Sequence, residues 1–403
     1  MTAQLAGWLV GGGVVACLVA LFVVILARSM DAGRTKSPVS NAQALAAVLP
    51  GGPLSMLKKH VLAASSQDTE KQAAAKASNK AGGVVAAVIG SIVALFVGGA
   101  IASDVFENNA APDITPIEVT AGELHGTLLL PRRNSPVVLI VPGSGPTDRD
   151  GNSPLGVNTN MYRQLAEGLA TEGIATVRVD KRGMFGSAGA GDLNAVSIGI
   201  YADYYRALID FIPQQPGRKC IWLLGHSEGP LMVSAAAEGR KDVCGLILVA
   251  GMGRKMGDVI RAQLKANPAN APLLGEAFAA IDDLEAGRHP DTGSMHPALL
   301  PLFAPPVQDF LISMFATDPV EAVRRARVKT LVVQGRTDLQ VTEEDARLLN
   351  KAPRTRMELI RGMNHVLKEA PADRVANLAT YANPALPLHP RLVDEIEDFI
   401  KDD

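Results

Sequence analysis

The stretch Cys220-Ile-Trp-Leu-Leu-Gly-His-Ser-Glu-Gly-Pro230 decides the fold of this chain. The apolar run 221–224 predicts a buried strand, and the apolar residues after Pro230 predict a helix. Between them, the G-x-S-x-G pattern at 225–229 predicts a sharp turn with Ser227 at its apex. Glycines at 225 and 229 let the strand and the helix approach closely. The free N–H groups at the start of the helix would face the serine.

Around this stretch, from about residue 113, apolar runs alternate with helical patterns. The runs that predict strands are 117–120, 123–130, 137–141, 174–179, 221–224, 245–250, 330–334 and 357–360. The patterns that predict helices are 161–169, 198–212, 231–237 and 390–401. The first two strands are expected to pair antiparallel. The sequence therefore predicts an α/β fold, a doubly wound and mostly parallel eight-stranded sheet. A helical cap insertion is predicted over 252–328.

A serine at the apex of such a turn acts as a nucleophile only with a base and an orienting acid. His365, in Gly-Met-Asn-His at 362–365, lies five residues past the last predicted strand, where a base would reach Ser227. The remaining histidines fall at poorer places: His60, His125, His226, His289, His296 and His389. His226 is expected to point away from the serine.

Asp338 is the predicted acid, because it comes just past the end of the preceding strand. Glu343 and Glu344 are nearby alternatives. Thr342, however, is typical of a helix cap, which would place both glutamates on the helix. The chain order Ser227, Asp338, His365 differs from the two common protease orders.

Negative charge that develops on a substrate oxygen needs backbone N–H groups aimed at it. One is predicted from Glu228, the residue after the serine. The other is predicted from the turn Pro-Gly-Ser-Gly-Pro at 142–146, with Ser144 as the first choice and Gly145 as the second. We expect the Glu228 side chain to face away and to bond a loop, because a carboxylate beside an oxyanion is unfavourable.

Taken together, the motifs at 143–151, 180–183, 225–229, 338–341 and 362–365 are specific. On them, the span 114–401 resembles bacterial α/β-hydrolases of the serine aminopeptidase and acyl-esterase branch. The resemblance implies a Ser-Asp-His hydrolase with a helical cap between the sixth and seventh strands. Pro142 and Pro230 depart from the pattern, since many relatives carry His and Gly there. The substrate is not fixed by the resemblance.

Two charged clusters lie within these motifs. Asp148, Arg149 and Asp150 are expected to brace the turn at 142–146 through charge-assisted bonds, with a direct role in substrate binding as the alternative. Asp180, Lys181 and Arg182 follow another strand, and we interpret them as structural.

The predicted cap carries a set of large apolar side chains, and the few fixed charges in this lining favour a neutral, apolar substrate. Most of its large side chains are expected to form the core of the cap, with the remainder lining an acyl pocket. They are Leu299, Leu300, Leu302, Phe303, Phe310, Leu311, Met314 and Phe315.

The first 110 residues predict a membrane anchor. The stretches 6–27 and 82–103 carry no charge, and each would form a helix about 33 Å long against a hydrocarbon core of about 30 Å. Small residues recur at every fourth position of the second span, which favours close packing between the spans or self-association with a second copy.

Charge placement predicts the orientation of this anchor. The loop 28–81 carries eight Lys and Arg residues, whereas 1–5 and 104–131 carry none. The positive-inside rule therefore places the loop in the cytoplasm. The domain 111–403 would then lie on the extracytoplasmic side of a bacterial inner membrane. The Ala-Ile-Ala at 100–102 leaves open a signal-peptide cleavage at the second span.

The cysteines indicate no metal site, because Cys17, Cys220 and Cys244 lack metal-ligand spacing. No cofactor is predicted. Cys220 and Cys244 begin neighbouring strands, so a disulfide between them is allowed outside the cytoplasm, with two buried thiols as the alternative. The net charge of −2 argues against a nucleic-acid partner.

The leading functional hypothesis is a membrane-anchored carboxylesterase that acts on a neutral acyl ester. One alternative is a serine peptidase that releases N-terminal residues from short peptides. An acyl-CoA thioesterase fits less well outside the cytoplasm. The second class of hypothesis is non-enzymatic, a membrane-tethered binding module on the same fold.

Overall fold

A computed structural model of the chain describes residues 114–190, 196–212, 220–266 and 268–402. The predicted membrane spans, the basic loop between them and His60 lie outside these residues. Within the described ranges, no helix combines the length and the apolar character needed to cross a membrane.

Eight strands form one sheet in the order β1-β2-β4-β3-β5-β6-β7-β8. The strands are β1 (Ile117–Ala121), β2 (Leu124–Leu129), β3 (Val137–Val141), β4 (Ala175–Val179), β5 (Ile221–His226), β6 (Val243–Val249), β7 (Lys329–Gly335) and β8 (Thr355–Ile360). The β1-β2 and β2-β4 pairs are antiparallel, and every other pair is parallel. The predicted eight-stranded, mostly parallel sheet is therefore confirmed, with each strand end within two residues of its predicted place.

Helices cover both faces of the sheet. They are α1 (Met161–Thr171), α2 (Ile198–Phe211), α3 (Gly229–Ala237), α4 (Met256–Ala266), α5 (Leu274–Glu285), α6 (Leu300–Phe303), α7 (Pro305–Phe315), α8 (Pro319–Ala326), α9 (Glu343–Leu349), α10 (Arg374–Ala379) and α11 (Arg391–Lys401). Side chains alternate across β3, so that Leu139 and Val141 join the core beneath α2 and α3. Val138 and Ile140 join the core beneath α1 and α11. This alternation explains why the buried strands read as continuous apolar runs.

The segment between β6 and β7 is helical, as predicted. Of the eight large apolar side chains predicted to form the core of the cap and line its pocket, seven are buried in the core on the α2 and α3 face. The eighth, Leu300, is half-buried and packs against that core. The backbone N–H of Ile198 donates to Ser313 Oγ at 2.9 Å, which ties α7 to the start of α2. These side chains pack as core, the role expected for most of them. Helix α8 packs against α3 and connects the segment to β7.

Cys220 and Cys244 meet at the beginning of β5 and β6. Their Cα atoms lie 5.1 Å apart, and their sulfurs are bonded in the structure. The adjacent parallel strands bring the two residues together, since Ile221 pairs with Val243.

Candidate active site

The turn after β5 holds Ser227 in a left-handed backbone conformation, with φ of 60°. A non-glycine residue there carries strain, which a packed structure tolerates at functional sites. Both flanking glycines are needed. A Cβ at Gly225 would lie 2.5 Å from the Gly229 backbone, and one at Gly229 would lie 2.6 Å from the Val141 carbonyl oxygen. The predicted strand–turn–helix is confirmed, and it presents the Ser227 hydroxyl above the carboxyl edge of the sheet.

Three predicted residues form one chain of hydrogen bonds. Ser227 Oγ lies 3.1 Å from His365 Nε2, and His365 Nδ1 lies 2.9 Å from Asp338 Oδ2. Because a carboxylate can only accept, Nδ1 carries the proton and Nε2 is left to accept from the serine. Loops after β7 and β8 supply the acid and the base. Both strands are parallel to β5, so their carboxyl ends reach the same edge of the sheet.

Asp338 is held rigidly beneath the imidazole. Its Oδ1 accepts from the backbone N–H groups of Gln340 and Val341 at 2.7 and 3.0 Å, and its side chain is fully buried. The alternative acids lie elsewhere. Glu343 pairs with Arg336 and Arg347, and Thr342 caps α9 through a capping box, as the sequence predicted.

The turn at 142–146 passes directly over Ser227. The N–H of Gly143 donates to Tyr162 Oη at 3.0 Å, so it is already occupied. Among the described residues, no hydrogen bond takes up the backbone N–H of Ser144, Gly145 or Glu228. Within the part of the chain that the structure describes, the N–H groups predicted to receive an oxyanion are thus left without an acceptor.

Glu228 is buried and bonds a loop, as expected. The loop is the 142–146 turn itself, because Ser144 Oγ donates to Glu228 Oε2 at 2.6 Å. The carboxylate therefore fixes the Ser144 side chain.

His226 joins two parts of the site, a role that the sequence did not predict. Its Nε2 lies 2.9 Å from the His365 carbonyl oxygen, and its Nδ1 lies 2.7 Å from Tyr162 Oη. The carbonyl can only accept, so Nε2 carries the proton and Nδ1 accepts from the tyrosine. Tyr162 in turn accepts from Gly143. A neutral His226 thus links the 142–146 turn to the loop that carries His365.

Charged residues fix the segment that follows the 142–146 turn, although their bonds reach β4 and residue 152 and not the turn itself. Asp148 Oδ1 accepts from the N–H groups of Asp150 and Asn152, and Arg178 of β4 forms an ion pair with Asp150. Asp180 Oδ1 accepts from the Arg149 N–H at 3.0 Å. Burial raises the pKa of Asp148 and lowers the pKa of Arg178, with Asp150 opposing the second shift. The residues 148–152, which follow the turn, are therefore held at the end of β4.

The other histidines of the described ranges lie outside the site. His125 lies on β2, His289 pairs with Asp309, and His389 Nδ1 accepts from the Arg391 N–H. In the described ranges, no cluster of three or more His, Cys, Asp or Glu side chains has the arrangement of a metal site.

Gly143→Ala is expected to lower kcat about 10²-fold. The added Cβ would lie 2.8 Å from Ser227 Cβ and 3.3 Å from its Oγ, so the turn or the serine has to move. A displacement of about 1 Å in a catalytic group costs about that much. Gly275→Ala on α5 is the matched control, because its Cβ meets nothing within 4 Å. Steady-state ester hydrolysis compares the two, and equal kcat values would contradict the prediction.

His226 gives the stability of the fold a predictable pH dependence. Burial first, and the neighbouring His365 second, lower the pKa of His226 to about 3. The unfolded chain takes up this proton below about pH 6.5 and the folded chain does not, so stability falls as pH falls through that window. The loss is about 1.4 kcal/mol for each pH unit.

His226→Gln removes the titrating imidazole and its pH-dependent contribution to stability, while the amide keeps one hydrogen-bond donor and one acceptor. The difference in unfolding free energy between the wild type and the variant should shrink by about 2 kcal/mol from pH 7.5 to pH 5. Urea unfolding at both pH values measures it, and the other titrating groups cancel in the difference. A difference in unfolding free energy that does not change with pH would be evidence against a lowered pKa of His226 in the folded chain.

A model of the alpha/beta hydrolase family matches residues 137–378. The match covers more than half of the chain, and the chain belongs to this family. It is 26% identical to Esterase EstD of Thermotoga maritima over 230 residues. That alignment covers 57% of this chain and 53% of the relative, so about half of the relative's length is matched.

Solved structures of similar fold include two esterases. Est1E from Butyrivibrio proteoclasticus, with ferulic acid bound, is 18% identical with a TM-score of 0.44, over 71% of this chain and 98% of that one. A malate-bound thermophilic esterase from Thermogutta terrifontis is 19% identical with a TM-score of 0.42, over 72% and 98%.

Proposed function

We propose that this chain is a serine carboxylesterase that uses Ser227 as the nucleophile, His365 as the base and Asp338 as the orienting acid. The observation that carries the proposal is the hydrogen-bonded chain from Ser227 Oγ through His365 to Asp338. The serine lies on a strained turn, beside backbone N–H groups that have no acceptor within the described part of the chain. The similarity to Esterase EstD supports an ester as the substrate.

The reaction follows from these positions. Ser227 Oγ attacks the ester carbonyl while His365 Nε2 takes its proton, and Asp338 stabilises the resulting imidazolium. The N–H groups of Ser144 and Glu228, with Gly145 as the second choice for Ser144, receive the negative oxygen. His365 then gives the proton to the departing alcohol, which leaves an acyl group on Ser227. Water activated by His365 releases the acid and restores the serine.

The peptidase alternative has one observation in its favour. Glu228 places a buried carboxylate next to the nucleophile, where it could meet a substrate ammonium group. That carboxylate already accepts a hydrogen bond from Ser144 Oγ, which favours a structural role. We therefore place the ester hypothesis first.

A graded substrate panel tests the proposal. We expect p-nitrophenyl esters of two- to ten-carbon acids to be hydrolysed with a kcat/KM at least 10²-fold above aminoacyl p-nitroanilides. A preference for the anilides would favour the peptidase. Activity toward neither, together with no labelling of Ser227 by a fluorophosphonate, would favour the non-catalytic binding module. Ser227→Ala is the control for every substrate.

We also propose that the spans 6–27 and 82–103 anchor the enzyme in a bacterial inner membrane with the hydrolase domain outside the cytoplasm. The charge asymmetry around the spans supports this orientation. The Cys220–Cys244 disulfide supports an oxidising compartment.

A cysteine introduced at residue 110 tests the side of the membrane. In spheroplasts with an intact inner membrane, an impermeant maleimide should label this cysteine. A cysteine introduced at residue 50 should stay unlabelled. The reverse pattern would contradict the orientation. Loss of the first hundred residues from the mature protein would identify the second span as a cleaved signal.

A further inference from the structure

Lys181 lies two residues past the end of β4, and its side chain is buried beneath the 142–146 turn. Its Nζ donates to the carbonyl oxygens of Gly143 and Gly145, the latter at 3.1 Å. These carbonyls flank Ser144, whose N–H is proposed to receive the oxyanion.

The Gly143 carbonyl and the Ser144 N–H belong to the same peptide unit. In a trans peptide the two groups point in opposite directions, so a donor that fixes the carbonyl also fixes the direction of the N–H. A cationic donor on the carbonyl further polarises the peptide, which makes its N–H a stronger donor on the opposite side.

The other polar groups of this segment are held by different residues. Tyr162 accepts the Gly143 N–H, and Glu228 accepts the Ser144 hydroxyl. Together with Lys181, which holds two carbonyls, they engage four neighbouring polar groups and leave the Ser144 N–H without an acceptor among the described residues.

We propose that Lys181 is a positioning residue of the oxyanion site: it orients and polarises the Gly143–Ser144 peptide so that the Ser144 N–H stabilises the transition state. This inference rests on the proposed esterase function. It gives Lys181 a part in catalysis beyond the structural role expected from the sequence. The neighbouring Asp180 accepts from the Arg149 N–H, so the end of β4 also holds the segment that follows the turn.

Lys181→Met is expected to lower kcat by about 10- to 10²-fold, somewhat less than the loss of an oxyanion donor itself. KM should stay within about threefold, because the effect is confined to the charged transition state. Affinity for a trifluoromethyl ketone, which forms an anionic adduct with the serine, should fall by the same factor as kcat. Lys181→Arg, which keeps a cation and several donors, should recover part of both losses.

Arg206→Met is the control for the loss of a cationic side chain that donates to two backbone carbonyls. Arg206 also donates to two backbone carbonyls, those of Ala235 and Ala236, at the far end of α3. It should lower the melting temperature without changing kcat or the affinity for the ketone. If the methionine variant of Lys181 does not fold, Lys181→Gln, which keeps a neutral donor, serves in its place with the same expected direction.

A wild-type kcat in a folded Met or Gln variant would overturn the inference. Parallel losses of kcat and ground-state affinity, or a loss of kcat without a loss of affinity for the ketone, would overturn it too. These outcomes differ from failure of the proposed function, in which the wild type neither hydrolyses esters nor reacts with a fluorophosphonate at Ser227.

Discussion

Ser227→Ala is expected to lower kcat for ester hydrolysis by about 10⁶-fold, the scale seen when a catalytic serine is removed from a serine protease. The hydroxyl is the group that would form the acyl intermediate, and it lies 3.1 Å from His365 Nε2. Water cannot replace it efficiently, because His365 and the backbone N–H groups are arranged around Oγ. Steady-state hydrolysis of a short-chain ester measures the loss, and fluorophosphonate labelling should disappear with it.

The matched control for this variant is Ser227→Gly. Both variants lack the nucleophile, but glycine adopts φ of 60° without strain. The glycine variant should therefore be equally inactive and about 1 kcal/mol more stable than the alanine variant in urea unfolding. Activity that survives in either variant within 10²-fold of the wild type would refute Ser227 as the nucleophile.

Asp338→Asn is expected to lower kcat by about 10⁴-fold with little change in geometry. The two backbone N–H groups on Oδ1 require an oxygen there, so the asparagine amide would turn its NH₂ toward His365. An NH₂ donates to Nδ1 and leaves the proton on Nε2, the nitrogen that must accept from Ser227. The variant would hold the imidazole in the wrong tautomer.

Glu343→Gln is the control, since Glu343 was the competing acid. Its carboxylate pairs with Arg336 and Arg347 at the start of α9, away from His365. Its kcat should stay within about twofold of the wild type, because such partly exposed pairs contribute little. A large loss in Glu343→Gln together with a small loss in Asp338→Asn would reverse the assignment of the acid.

Most of the fold prediction came from the periodicity of the apolar residues. The continuous apolar runs of β3 and β5 indicated strands buried on both faces, and the structure covers both faces with helices. The strand ends were less sharply predicted. β5 continues through Gly225 and His226, because both still pair with β6, whereas the apolar run ends at Leu224. An apolar pattern marks side chains that are buried, while backbone pairing continues as long as the neighbouring strand allows.

The sequence predicted some residues of the candidate site and missed others. Ser227, Asp338 and His365 each follow a strand, so the direction of the strands alone places them at one edge of the sheet. Tyr162 and His226 gave no such signal, because their contact joins residues 64 positions apart, on a helix and on a strand. A tyrosine on an amphipathic helix is more often a core residue, and its hydroxyl acquires a role only when its neighbours are known.

The sequence by itself determined the order of strands and helices, the turn at Ser227 and the residues that could serve it, because these depend on local periodicity and on the parallel direction of the strands. Only the tertiary structure decided how the 142–146 turn is held. Tyr162, Lys181 and Glu228 reach it across separations of 19, 38 and 84 residues. Such contacts depend on distances between elements, which no local pattern encodes. Around the stretch 220–230, the serine was evident from the sequence, whereas the groups that orient the proposed oxyanion site came from packing.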